Sequence, residues 1–205
     1  MGKLISFEGI DGSGKSTHAA RLHQRLQQEG YRAEIFREPG GTDLSEEIRT
    51  ILLHYKGELD PVAELLLFSA ARAQLVAQKV KPLLEQDCIV ILDRFFDSTT
   101  AYQGYARKAV DPGQINEINK VASCGITPDL TYYLRLSPEA AAARLTDEKD
   151  RLEKSGVGFY KLVQQGFDKL ASEESRFVII DAEKDIKDIH QEIWEHFEKL
   201  NVQPG

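Results

Sequence analysis

The 205-residue chain predicts an α/β fold in which a five-stranded, mostly parallel sheet is flanked by helices. Three observations carry that prediction. Short apolar, β-branched runs recur with longer helical stretches between them, the pattern of repeated strand, helix and strand units. The runs are almost continuously hydrophobic, most clearly Ile89-Val90-Ile91-Leu92, which suits strands covered on both faces. A glycine-rich sequence, Gly9 to Thr17, stands where the first strand hands over to the first helix.

In chain order, residues 4–8 form the first strand, and a helix over 15–29 follows it and stops at Gly30. The second strand, 33–37, runs into Glu38-Pro39-Gly40-Gly41-Thr42, where proline and two glycines dictate a shaped turn. Helices over 44–54 and 61–84 precede the third strand, 88–93. A helix over 112–122 starts on Pro112, where a missing N–H costs nothing, and Gly125 lies just past its end. The fourth strand is 130–136, followed by a helix over 138–143 that again starts on proline. Helices over 158–172 and 186–200 enclose the fifth strand, 177–181, and residues 201–205 form a frayed tail.

Length and composition narrow the classes of function. The chain suits one domain, residues 1–205, with no second domain of ordinary size. Net charge is −7 with both signs interspersed, so it offers no broad basic face for nucleic acid. The longest apolar stretches, such as 63–71, fall short of the roughly 20 residues a membrane span needs. The N-terminus enters a strand without the apolar core of a signal peptide, which points to a cytoplasmic protein that meets no membrane. Two cysteines, Cys88 and Cys124, lack metal or redox spacing and read as reduced structural thiols, and the five histidines are scattered. Residues 144–158 are densely charged with both signs, which fits either a solvated helical face or a mobile lid.

The chemistry begins at Gly9-Ile10-Asp11-Gly12-Ser13-Gly14-Lys15-Ser16-Thr17, a complete phosphate-binding loop of the form G-x-x-x-x-G-K-[ST]. Its glycines let the backbone fold into a nest of inward-pointing N–H groups, and the following helix adds its positive N-terminal end. Lys15 reaches the β- and γ-phosphates of a triphosphate, and Ser16 is placed to ligate Mg²⁺. Asp93-Arg94 stands at the carboxyl end of a buried strand, where open α/β sheets place their ligands. Asp93 fits a direct or water-mediated Mg²⁺ partner and Arg94 a phosphate clamp. Arg37 adds a guanidinium at a second strand end.

Taken together, the phosphate loop, Arg37-Glu38-Pro39-Gly40-Gly41-Thr42, Leu67-Phe68-Ser69-Ala70-Ala71-Arg72, Asp93-Arg94-Phe95 and Asp97-Ser98-Thr99-Thr100-Ala101-Tyr102-Gln103-Gly104 resemble the bacterial thymidylate kinase family. The resemblance runs from Lys3 to at least Ala182. It implies a P-loop NTPase fold with a short mobile lid, and transfer of the γ-phosphoryl of ATP to dTMP for dTTP synthesis. It also implies Mg²⁺ dependence and a homodimer, with an apolar face within 61–84 as a contributor. In the family pattern Phe68 stacks on thymine and Arg72 hydrogen-bonds the base, while Thr99 and Gln103 lie near the base. Tyr102 crowds a ribose 2′-hydroxyl, Asp11 faces the sugar 3′-hydroxyl and the metal region, and Arg49 borders the acceptor site. Pro39, Ser98, Arg37 and Arg94 complete the implied acceptor set. Arginine only donates, so Arg72 suits the O4 acceptor of thymine and opposes the amino group of cytosine. One methyl separates thymine from uracil, a difference an apolar pocket resolves by only about 1–3 kcal/mol.

One branch of this family carries an arginine inside the phosphate loop and another supplies it from the lid. Gly12 places this chain with the second. The lid pattern there has two arginines two residues apart, whereas this chain reads Arg144-Leu145-Thr146, so Arg151 and Lys149 become the candidates for the catalytic charge and Arg144 for stacking on adenine. The rival readings are a kinase of dCMP or of a deoxynucleoside, and a noncatalytic nucleotide switch.

Overall fold

The computed structural model describes residues 2–144 and 156–204. Five parallel strands stand in the order β2-β3-β1-β4-β5: β1 Leu4–Glu8, β2 Ala33–Arg37, β3 Ile89–Asp93, β4 Leu130–Arg135 and β5 Phe177–Asp181. Their sequence positions match the expected ones to within a residue. β1 lies at the centre, with Ile5 opposite Ile91 on one side and Leu130 on the other. Both faces of β1 are closed to solvent, as its unbroken apolar run requires. The edge strands β2 and β5 are less completely covered.

The helices cover both faces. α1 (Lys15–Gln28) buries Ala19, Leu22 and Leu26 along one stripe, and α9 (Ile186–Glu198) packs beside it through Ile189, Ile193 and Phe197. Arg25 of α1 lies over the Trp194 ring at 3.9 Å from its centroid. α2 (Asp43–His54) is capped by the Thr42 hydroxyl, which accepts from Ser45 N–H at 3.2 Å. α3 (Pro61–Leu75) is capped by Asp60, whose carboxylate accepts from the N–H groups of Val62 and Ala63. The expected single helix over 61–84 widens into a π segment, Val76–Val80, before α4 (Lys81–Glu85). α6 (Pro112–Ala122) and α7 (Pro138–Arg144) both start on the predicted prolines, and α8 (Gly156–Glu173) buries Val163, Gly166 and Phe167.

Two departures from the sequence expectations concern the chain's coverage. A short helix, α5 (Phe96–Thr99), continues into a seven-residue π segment, Thr100–Ala106, where no helix was expected. Two threonines and Gly104 make this a poor helix by propensity, and tertiary contact overrides that weakness. α8 lies directly against it: a Cβ on Gly166 would stand 3.0 Å from Ala101 Cα and from Tyr105 Cβ. The second departure is the tail, which is held at least to Val202, whose carbonyl accepts from the Tyr31 hydroxyl at 3.3 Å. Cys88 is buried, but Cys124 is exposed with φ of 52°, so only the first is a core thiol.

Candidate active site

At the end of β1 the chain turns directly into the glycine-rich loop. Gly9, Gly12 and Gly14 take φ of 139°, 80° and 89°, values that L side chains rarely adopt. A Cβ on Gly9 would also stand 2.6 Å from the Leu134 carbonyl oxygen of the neighbouring chain segment, so position 9 admits no side chain. Lys15, the first residue of α1, is only 6% exposed and folds back so that Nζ donates to the Ile10 carbonyl at 2.8 Å. Burial and the positive charge of Arg94 bring its pKa down to about 8. Next to it, the Ser16 hydroxyl donates to the Asp93 carboxylate. Ser13 is buried and its hydroxyl has no partner among the described residues.

Arg94 sits one residue past β3 with φ of 72°, a left-handed conformation costing a non-glycine residue about 1–2 kcal/mol. The surroundings hold it there. Its N–H donates to Phe7 O at 3.0 Å, and its guanidinium donates to Gly9 O and Ser98 Oγ at 3.0 Å each and to Asp11 Oδ1 at 2.5 Å. The next N–H, that of Phe95, donates to Glu8 Oε1 at 2.8 Å, and the Ser98 hydroxyl donates to Glu8 Oε2 at 2.5 Å. Glu8 is fully buried, and burial together with the Asp97 charge pushes its pKa up to about 8. For Asp11 burial acts in the same sense, yet the charges of Arg94 and Lys15 prevail and hold its carboxyl at about 2.

Two concavities open from this centre. The first follows the loop and is lined by Asp11, Gly12, Gly14, Lys15, Ser16, Thr17, Arg37, Glu38, Arg49, Asp93 and Arg94. The second is lined by Asp11, Glu38, Pro39, Arg49, Leu53, Phe68, Arg72, Arg94, Phe95, Ser98, Thr99, Tyr102 and Gln103. Asp11, Glu38, Arg49 and Arg94 line both. In the second, Arg72 is buried and preset: Nε donates to Glu38 Oε2 at 2.7 Å and one terminal nitrogen to Thr99 Oγ1 at 2.9 Å. Burial raises Glu38 to about 6 against the pull of Arg72. Gln103 is held by Glu64 at 2.8 Å, and Arg49 donates to the Pro39 carbonyl at 3.0 Å.

The fold thus gathers the sequence-predicted residues into two adjoining groups. Arg37 lines the first concavity and not the second, paired with Glu46 at 3.0 Å. Arg144, at the end of α7, reaches across to the Gly12 carbonyl at 3.4 Å and the Ala182 carbonyl at 3.0 Å. Arg151, Lys149 and Thr146 lie outside the described residues. Sequence reading assigned nothing to Glu8 or to Tyr160, whose hydroxyl donates to Asp11 Oδ2 at 3.1 Å. The adjacency of Glu8 to the loop was a signal available in the sequence. Tyr160 gave none, because it meets Asp11 only through the packing of α8.

The thymidylate kinase family model matches residues 7–193, nearly the whole of this architecture. A thymidylate kinase of Chlorobaculum tepidum is 50% identical over 202 residues, covering 93% of this chain and 94% of the relative. One from a Thermoanaerobacter strain is 44% identical over 194 residues, covering 94% and 95%. Among solved structures, the crystal structure of thymidylate kinase from Ehrlichia chaffeensis superposes with a TM-score of 0.79 at 34% identity, covering 96% of this chain and 98% of that one. Similarity this extensive, joined to a phosphate loop facing a preset arginine pocket across shared cations, assigns the chain to the thymidylate kinase family.

Proposed function

We propose that the chain acts as one catalytic unit that transfers the γ-phosphoryl of ATP to dTMP, giving ADP and dTDP, with ATP along residues 9–17 and dTMP in the second concavity. The supporting observation is that Arg49 and Arg94 line both concavities, since in-line transfer needs donor and acceptor phosphates to meet over common cations. Lys15 and the loop N–H groups take the β- and γ-phosphates, with Thr17 at their edge. Arg94 and Arg49 draw the acceptor phosphate toward the γ-phosphorus, and its oxygen attacks as the bond to the β-bridging oxygen breaks. Arg144 lies beside the ATP end, and Arg151 supplies the lid cation. The thymine takes the place between Phe68 and Arg72, with Thr99 and Gln103 near its edge, and the sugar lies over Tyr102 against Asp11.

The donor set fits Mg²⁺. Ser16 and Asp93 would offer a hydroxyl and a carboxylate oxygen, which are hydrogen-bonded to each other, and among the described residues no group of three or more His, Cys, Asp or Glu forms a cage. Mg²⁺ prefers such a site, taking one or two protein oxygens and completing its shell from phosphates and water. When bound it neutralises charge on the transferring phosphates. Exposed Leu44 and Ile51 on α2, Tyr55 just past its end, and Leu66 on α3 support a homodimer through these helices. In a coupled ADP-release assay with ATP and Mg²⁺, dTMP is the preferred acceptor, dUMP slower by about 10- to 100-fold, and dCMP slower still. Preference for dCMP would overturn the acceptor assignment, and ADP release without dependence on any acceptor would overturn the kinase reading.

A further inference from the structure

We infer that Tyr160 is a positioning residue for the acceptor sugar, acting through Asp11, an inference that rests on the dTMP reading above. Tyr160 lies in the first turns of α8 (Gly156–Glu173), and its hydroxyl donates to Asp11 Oδ2 at 3.1 Å. Asp11 receives two further donors: Arg94 on Oδ1 at 2.5 Å, and the Tyr102 hydroxyl on Oδ2 at 3.3 Å. An ionised carboxylate has about four acceptor positions. Among the described residues three are therefore taken by protein, with both phenols on Oδ2, which leaves one place on Oδ1 of a carboxylate that lines both concavities. A carboxylate so held presents one direction to an incoming hydroxyl instead of rotating to meet it, which is the condition for a hydrogen bond that selects as well as binds.

The chemistry of Tyr160 suits this use. Burial, then the Asp11 charge, raises its phenol further above its ordinary value, so it remains a donor wherever the enzyme works. Its ring stands edge-on to that of Tyr102, centroids 6.4 Å apart at 89°, and Phe159 beside it meets Tyr102 at 6.0 Å. Arg107 lies over Phe159 at 4.6 Å from the ring centroid. The beginning of α8 is thus clasped to the π segment that carries Tyr102, and Tyr160 ties both to the phosphate loop.

The test compares Tyr160→Phe with the parent enzyme, using dTMP and 3′-deoxythymidine monophosphate as acceptors. The parent should prefer the 3′-hydroxyl acceptor in kcat/KM, and Tyr160→Phe should lower kcat/KM for dTMP about 10- to 100-fold, the effect of one hydrogen bond to a charged group. With the 3′-deoxy acceptor the variant should stay within about twofold of the parent, so the preference narrows. Equal losses with both acceptors, or an unchanged preference, would overturn the inference and leave the dTMP reading standing. A parent that turns over dTMP yet does not distinguish the two acceptors would overturn the role of Asp11 and the inference together. A parent inactive on dTMP would fail the function itself. Thermal unfolding with and without dTMP accompanies the kinetics: a variant that melts earlier but keeps the parent's acceptor preference counts against the inference.

Discussion

Lys15 carries a charge into a place where charge is expensive, and the balance of its neighbours sets a pH limit on the enzyme. Burial and Arg94 lower its pKa to about 8, while Asp11, Asp93 and Glu8 oppose the shift. Only the ammonium form attracts phosphate, so ATP affinity is complete below that pKa and declines as pH rises through it. Calorimetric binding of ATP should therefore weaken above about pH 8, and Lys15→Arg should remove that decline because guanidinium does not titrate there. An unchanged affinity from about pH 7 to 9.5 would show that the Lys15 charge persists through that range and that its pKa is not lowered in the free enzyme. The residue scale also shows what sequence left open. Arg72 was legible as a pocket arginine from its motif, and it lines the second concavity, but its orientation is set by Glu38 and Thr99, which lie in other elements.

At the scale of elements, the active-site helix formed by α5 and the π segment over Thr100–Ala106 has weak local propensity and is held from behind. Arg176, just before β5, makes two 2.7 Å hydrogen bonds to the Asp97 carboxylate and a third to Thr131 Oγ1. Thr131 in turn meets Ser6 Oγ at 2.8 Å, so the network runs from the helix through β4 to β1. Asp97 is only 1% exposed, and removing its partner leaves a buried carboxylate uncompensated. Arg176→Ala should destabilise the fold by about 3–5 kcal/mol, read as a shift in the urea midpoint. A loss below about 1 kcal/mol would mean that water replaces the guanidinium. α8 packs tightly on the π segment, where a Cβ on Gly166 would stand 3.0 Å from Ala101 Cα and force its neighbours to give way.

At the scale of the whole molecule, the parallel sheet brings the carboxyl ends of β1, β2 and β3 to one edge, where the loops that follow them build the two adjoining concavities. Among the described residues no helix is long and apolar enough to cross a membrane. The exposed apolar side chains of α2 and α3 support the proposed dimer, whose formation would cover Ile51 and Leu66, 46% and 53% exposed in the single chain. Sedimentation velocity should give a species of about twice the chain mass, and Leu66→Arg should shift it toward monomer by placing a charge in that face. A parent that sediments as a monomer at micromolar concentration would reject the dimer.

The sequence alone determined the strand positions and the phosphate loop, because both are local: apolar runs of a buried strand and glycines of a tight turn show themselves within a few residues. The motifs also sufficed for the family. The tertiary structure decided the rest, because it depends on residues brought together across the fold. Glu38 aiming Arg72, Tyr160 bonded to Asp11 across 149 positions of chain, and the helix over 96–106 all arise from packing that no local pattern encodes. The glycine at position 12 stands between the two: it shows that the loop carries no arginine of its own, while the cations grouped around the loop in the described residues, Arg37, Arg49, Arg94 and Arg144, become visible as a group only in three dimensions.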